Sequence, residues 1–249
     1  MLRHILPLIP KHRIYVEPFF GGGAVFWAKE RAEVEVINDT NDWVITFYRV
    51  LKNPGKHAQL MEKLNETLHS RQLHRRAKEV LLRAGERDAV EIAWAVWVQT
   101  QMSFAKCIFK GWGYGKASGG GACRCLSSKI DALGRTYSER LRRTYIESLD
   151  ALKVINAWDD AEAFFYCDPP YFNSDMGHYK NYTEGDFVKL LDRLCTIKGK
   201  FLLSSYPCGI LTRYVAENNW KVLEFHKKLA VFGKRKVQKV KTECLVRNY

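Results

Sequence analysis

Asp168-Pro169-Pro170-Tyr171 follows the apolar run Phe164-Phe165-Tyr166-Cys167 and combines residue types suited to holding an exocyclic amine on a base. Such an amine is a poor nucleophile because its lone pair is delocalised into the ring. Acceptors for both of its protons help to localise that pair, and the Asp168 carboxylate and the Pro169 carbonyl can supply them. The two prolines fix φ and contribute no N–H donors, so the acceptors are held rigidly, while Tyr171 offers a face on which a ring can stack. Taken alone, the tetrapeptide also reads as a rigid turn that closes a strand.

A second group lies near the amino terminus. Gly21-Gly22-Gly23 comes just after the β-prone run Ile14-Tyr15-Val16 and the segment Glu17-Pro18-Phe19-Phe20. Glycines there let a ligand approach the backbone closely, and the helix that follows offers free amides. The dinucleotide fingerprint is not completed, because Phe26 stands where the third glycine belongs, and no Gly-Lys-Ser/Thr phosphate loop is present. A nucleotide-like ligand without a pyrophosphate fits better. Asp39 ends the next β-prone run, Val34 to Ile37, where an acidic residue can accept hydrogen bonds from ribose hydroxyls. The competing reading of Asn38 to Asp42 is a turn and helix cap.

These residues need elements to hold them. Strand, glycine loop and a helix from Ala24 to Arg31 form one unit, and the second strand with the helical pattern Val44, Phe47, Tyr48 and Leu51 forms another. Two β-α units in series predict a parallel sheet. After Asn53-Pro54-Gly55, the spacing of Leu60, Leu64, Leu68 and Leu73 predicts helix through Lys56 to Leu82, and Ala89 to Ala105 predicts a buried helix. Gly111 to Gly121 has no helical period and reads as a loop or hairpin. A basic helix-like run holds Arg135, Arg140, Arg142 and Arg143, and strand signals resume at Tyr145-Ile146, Ala163 to Tyr166, Phe201 to Ser205, Val222 to Phe225 and Glu243 to Val246. The expected architecture is an α/β sheet interrupted by a mostly helical insertion.

Composition narrows the function. The 249 residues carry 40 Lys and Arg against 27 Asp and Glu, a net charge of +13, which favours a polyanionic partner. The longest uncharged stretch, Ile92 to Ala105, is too short for a membrane span, and the start lacks the pattern of a secretion signal, so a cytoplasmic protein is expected. Seven scattered cysteines read as free thiols. Cys123-Arg124-Cys125 has no partner motif for zinc, and no metal is expected.

Glu17-Pro18-Phe19-Phe20-Gly21-Gly22-Gly23, Ile37-Asn38-Asp39 and Asp168-Pro169-Pro170-Tyr171 together, in that order, resemble the Dam-like (D12 class) DNA adenine N6-methyltransferases, in particular phage and prophage members. The resemblance spans nearly the whole chain and ends on Thr242 to Tyr249, which looks like the family's closing strand. It implies an α/β, Rossmann-like S-adenosylmethionine-dependent methyltransferase sheet, with residues 1–54 and 145–249 as a discontinuous catalytic domain and 55–144 as a helical target-recognition insertion. It also implies that Glu17, Phe19, Gly21 and Gly23 line the S-adenosylmethionine site, that Asp39 holds the ribose, and that Asp168 faces both cofactor and adenine. Ile146 to Asp150 resembles the family's adenosine-edge motif. The implied reaction is methyl transfer to the N6 amine of an adenine flipped out of double-stranded DNA, because a stacked base cannot reach the cofactor.

Residues for DNA contact are then sought among aromatics and cations. Base readout falls between Ser103 and Arg124, with Trp112, Tyr114 and Lys116 as candidates. Residues 220–249 carry nine Lys or Arg against two Glu, and Lys234, Arg235 and Lys236 are candidates for phosphate contacts, as are Arg71, Arg75, Arg76, Arg135, Arg142 and Arg143. Family members also carry an aromatic-x-Gly-Gly-Lys segment ahead of the first strand, which this sequence does not contain. A catalytically impaired DNA-binding remnant therefore stands as an alternative, beside methylation of cytosine N4, RNA adenine or a protein amide, and a nicotinamide enzyme. The sequence leaves the oligomeric state open, a monomer being the simplest reading.

Overall fold

The structure is a computed structural model and describes residues 1–114, 121–172, 182–228 and 240–249. From the amino terminus, α1 (Leu2–Ile5), β1 (Ile14–Glu17), α2 (Ala24–Ala28) and β2 (Val34–Asn38) are followed by α3 (Asp42–Lys52), α4 (Pro54–Asn65), α5 (Arg71–Leu82) and α6 (Ala89–Met102). Next come α7 (Gly121–Ala132), α8 (Arg135–Arg142), β3 (Thr144–Glu147), α9 (Ala151–Trp158), β4 (Ala163–Cys167) and α10 (Glu184–Thr196). The chain ends with β5 (Lys200–Ser205), α11 (Gly209–Glu217), β6 (Lys221–Lys228) and β7 (Val240–Arg247). It divides into two compact units, Met1–Asp39 with Leu149–Tyr249, and Thr40–Ser148. The division falls between β2 and α3, ahead of the Asn53-Pro54-Gly55 punctuation. No helix among the described residues is long and apolar enough to cross a membrane.

The strands lie in the order β3-β2-β1-β4-β5-β7-β6. β1 pairs in parallel with β2 and β4, β4 pairs in parallel with β5, and β7 runs antiparallel between β5 and β6. β1 and β4 are buried along their whole length, as expected for parallel strands covered on both faces. Their two-residue alternation separates two layers. Ile14, Val16, Phe165, Cys167, Phe201 and Leu203 join Phe187, Leu190, Leu191 and Trp220 in one core. Tyr15 and Phe164 point the other way, their rings 6.0 Å apart. From β1 the chain leaves towards β2 on one side, and from β4 towards β5 on the other, so the β1/β4 boundary is the switch point at whose carboxyl end open α/β sheets bind ligands.

The second unit is built on α6, which is apolar on nearly every face and packs against α3, α4 and α5. Asp88 caps its first turn by accepting from the Glu91 N–H. The helical stretch expected from Lys56 to Leu82 is two helices. Thr67 ends the first, its hydroxyl donating to the Lys63 carbonyl at 2.6 Å, and Ser70 caps the second by accepting from Gln72 and Leu73. Three further expectations on element bounds are corrected. α2 stops at Ala28, because Lys29 turns to extended backbone. α6 stops at Met102, and Ser103 joins a β-bridge to Trp112. Gly121 opens α7, so Cys123-Arg124-Cys125 is helical.

Candidate active site

β1 delivers Glu17 to the switch point, and β4 delivers Asp168 beside it. Val16 is in register with Phe165, so the two acidic residues follow on neighbouring strands. Glu17 is 2% exposed and accepts a 2.6 Å hydrogen bond from the Tyr15 hydroxyl. Burial pushes its carboxyl up to about 8, the nearby Asp168 carboxylate adds to the rise, and the Tyr15 hydrogen bond opposes it. Asp168 itself is exposed, and the Cys167 before it is fully buried.

The end of β2 fastens the glycine loop. Asp39 Oδ2 accepts from the Gly21 N–H at 2.8 Å, and the Asn38 carbonyl accepts from the Phe20 N–H at 2.8 Å. The buried Asn38 amide donates to the carbonyls of Pro18 at 2.9 Å and Leu149 at 3.0 Å, and its oxygen accepts from the Leu149 N–H at 2.9 Å. Asn38 is thus a clamp between the loop and the segment ahead of α9. Gly21 and Gly23 have φ of +48° and +62°, and a Cβ on Gly23 would stand 2.4 Å from the Phe20 ring. A Cβ on Gly21 or Gly22 would meet nothing within 4 Å, so the backbone there is open to a ligand. Phe19 lies nearby in edge contact with Tyr182, ring centroids 6.3 Å apart.

Around Asp168-Pro169-Pro170-Tyr171, Pro169 is buried and Tyr171 half-buried. The Tyr171 hydroxyl donates to Asp168 Oδ1 at 3.1 Å and lies 2.9 Å from Ser204 Oγ, while its ring rests 4.2 Å from that of Tyr206. Burial pushes the Tyr171 phenol up, with Asp168 adding to the rise, so the group is a neutral donor. Ser204 and Tyr206 were not singled out from sequence. They stand at the carboxyl end of β5, beside β4, and the same strand-end rule that marks Asp168 marks them once the sheet order is known.

These residues fit a cationic nucleoside cofactor better than a dinucleotide. Glu17, Asp39 and Asp168 put three carboxyl groups at the carboxyl ends of β1, β2 and β4, an acceptor set that repels phosphate and suits an ammonium or sulfonium with ribose hydroxyls. Among the described residues, no group of three or more His, Cys, Asp or Glu could hold a metal.

In the second unit, Trp112 and Tyr114 stack with centroids 5.3 Å apart. The Arg71 guanidinium lies 5.0 Å from the Trp112 ring and 5.8 Å from that of Tyr114. The loop that carries them is held from α5 and α6. His74 bonds Ser103 at 2.7 Å, the Gln99 amide donates to the His74 carbonyl at 2.7 Å, and Gln99 Oε1 accepts from Phe109 N–H at 3.0 Å. Lys106 and Phe109 adopt positive φ there. Arg75 and Arg76, expected on phosphates, lie within 4 Å of Glu79 and Glu91. Lys116, Lys234, Arg235 and Lys236 lie outside the described residues.

Comparison with known proteins identifies this arrangement. The D12 class N6 adenine-specific DNA methyltransferase family matches residues 1–190. A Type II methyltransferase of Lactococcus lactis subsp. cremoris, M1.LlaDCHI, is 32% identical over 283 aligned positions that take in 100% of this chain and 91% of that one. Among solved structures, an rRNA methylase from Streptococcus thermophilus covers 97% of this chain and 89% of its own at 9% identity and a TM-score of 0.35, a likeness too weak to bear on function. The matched residues contain the glycine loop, Asp39 and the Asp168 turn, and the chain belongs to the D12 class N6 adenine-specific DNA methyltransferases.

Proposed function

We propose that the protein transfers a methyl group from S-adenosylmethionine to the N6 amine of an adenine flipped out of double-stranded DNA, at a specific site. The observation that carries this reading is the placement of Glu17 and Asp168 on adjacent parallel strands at the switch point, with the glycine loop fastened by Asp39. S-adenosylmethionine supplies an electrophilic methyl group when bound. Glu17, Phe19, Gly21, Gly23 and Asp39 hold it, Glu17 by charge and Asp39 by accepting from the ribose. Asp168 and the Pro169 carbonyl accept from the adenine amine, which orients its lone pair for in-line attack and restrains it there. Pro170 stiffens the turn. Tyr171, steadied by Ser204, lies beside the amine and offers its face to the base; transfer would leave S-adenosylhomocysteine, and the extra amine proton would then pass to solvent.

Residues 1–54 and 145–249 act as the catalytic domain, and 55–144 reads the target, with Trp112, Tyr114 and Lys116 at the bases and Lys234, Arg235 and Lys236 on phosphates. The setting is the cytoplasm, where DNA and the cofactor are found, and no metal takes part. Incubation with labelled S-adenosylmethionine and equal amounts of methylation-free duplex DNA, single-stranded DNA and RNA, followed by digestion to nucleosides, tests the acceptor. Label in N6-methyladenine from the duplex supports the proposal. Label in N4-methylcytosine or in RNA would replace it.

A further inference from the structure

A row of polar side chains runs beneath Glu17 on one face of the sheet. Tyr15 and Glu17, two residues apart on β1, share that face, and Glu35 of β2 stands opposite Tyr15 in the register. Lys29, where the chain turns out of α2, places its Nζ 4.1 Å from the Tyr15 ring centroid and 2.8 Å from Glu35 Oε1. The Ala32 N–H donates to the same Glu35 oxygen at 3.3 Å, and Lys29 Nζ also donates to the Glu30 carbonyl at 2.8 Å. Tyr15 and Glu35 are 0% exposed and Lys29 7%. A buried ion pair adds little net stability over apolar residues of the same volume, so its position over Tyr15 calls for another account.

Resting on the reading that Glu17 faces the cationic cofactor, we propose that Tyr15 and Lys29 are positioning residues of the cofactor site. The ammonium over the ring strengthens the Tyr15 O–H as a donor, and that hydrogen bond fixes the Glu17 carboxylate, charged and oriented, for the ligand.

The charge state follows from the groups that face Glu17. Burial favours the neutral acid, and Asp168 beyond β4 favours it too, while the Tyr15 hydrogen bond, Lys29 and the Phe26 backbone N–H favour the anion. Tyr166 faces it from β4, and Cys167 lies close by on the other face of the sheet; both are neutral groups, their own acidities suppressed by burial. The balance leaves a carboxyl that titrates at about 8, so below that pH a cation that binds displaces the Glu17 proton to the buffer. Loss of the Tyr15 hydroxyl makes the acid hold its proton more tightly.

Calorimetric titration of the full chain with S-adenosylmethionine, at several pH values from about 6.5 to 9 and in buffers of different ionisation enthalpy, tests this. Unsubstituted protein should release close to one proton per ligand at pH 7 and bind more tightly as pH rises to about 8. Tyr15→Phe should bind roughly tenfold more weakly at pH 7.5, the scale of one hydrogen bond to a charged group, with its affinity curve displaced to higher pH. Glu17→Gln should release no proton, and adding Tyr15→Phe to it should change nothing further. The pair Lys29→Met with Glu35→Met removes both buried charges at similar volume and should displace the curve in the same direction by less.

A Tyr15→Phe curve that superimposes on the unsubstituted one, or an equal loss in the Glu17→Gln background, would overturn the proposal. So would an unshifted curve in the Lys29, Glu35 pair. No binding by the unsubstituted chain would overturn the cofactor reading itself, a result distinct from these.

Discussion

Glu17 is held at a cost to the fold, and that cost has a pH signature. Its carboxyl titrates near 4.5 when exposed and at about 8 in the folded chain, so between those values the native state binds one proton more than the unfolded state. Stability must therefore fall as pH rises across that window. At about 1.4 kcal/mol per pH unit the contribution reaches about 5 kcal/mol by pH 8, an order-of-magnitude figure. Below pH 4.5 it vanishes, because the group is protonated in both states. Glu17→Gln keeps the shape and can still accept from the Tyr15 hydroxyl but cannot ionise. The assay is chemical denaturation of both proteins at intervals from pH 5 to 8.5, followed by tryptophan fluorescence. The stability difference in favour of Glu17→Gln should widen steadily with pH, and at pH 8 the substituted protein should melt on the order of 10 °C higher. Parallel stability curves would refute the reasoning, since they would mean that Glu17 titrates alike in both states.

Lys29→Met alone leaves the Glu35 carboxylate buried without its partner and should cost about 3–5 kcal/mol, largely recovered when Glu35→Met is added, as read by denaturant midpoints. Gly23→Ala should destabilise by at least about 1 kcal/mol and weaken cofactor binding in the same calorimetric assay, because φ is +62° and the new methyl meets the Phe20 ring. Arg71→Ala should weaken binding to any duplex about equally and lower the slope of log affinity against log salt by about one, in a fluorescence anisotropy titration at several salt concentrations.

Much of the sheet was legible in the chain. Short runs rich in apolar and β-branched residues mark β1, β2, β4 and β5, because parallel strands buried on both faces need mostly apolar sequence, with Glu17, Glu35 and Asn38 as buried polar exceptions. Residue order alone could not show that β7 inserts between β5 and β6, since strand pairing is settled by long-range contact. Glu17 and Asp168 could be marked as strand-end acids, but not that burial and mutual repulsion leave Glu17 with so weak an acidity. Asp39 was read as a partner for ribose. The structure shows one of its oxygens holding Gly21, a contact set by the fold of the loop rather than by any pattern in it. Nothing in the sequence pattern marks Lys29, which falls inside the helix expected from Ala24 to Arg31. Only the early stop of α2 turns it inward to Glu35. Trp112 and Tyr114 stand out in the sequence as aromatics in a glycine-rich stretch, whereas the pairing of Arg71 with them, from α5, depends on the fold.

Transfer of label from S-adenosylmethionine to methylation-free duplex DNA by the unsubstituted protein and by Asp168→Ala, with digestion to nucleosides, tests the central claim most directly. The account predicts label in N6-methyladenine alone, and a rate at least about 100-fold lower in the variant, the scale of losing an acceptor aimed at the reacting group. Equal rates from the two proteins, or no label from either, would contradict it.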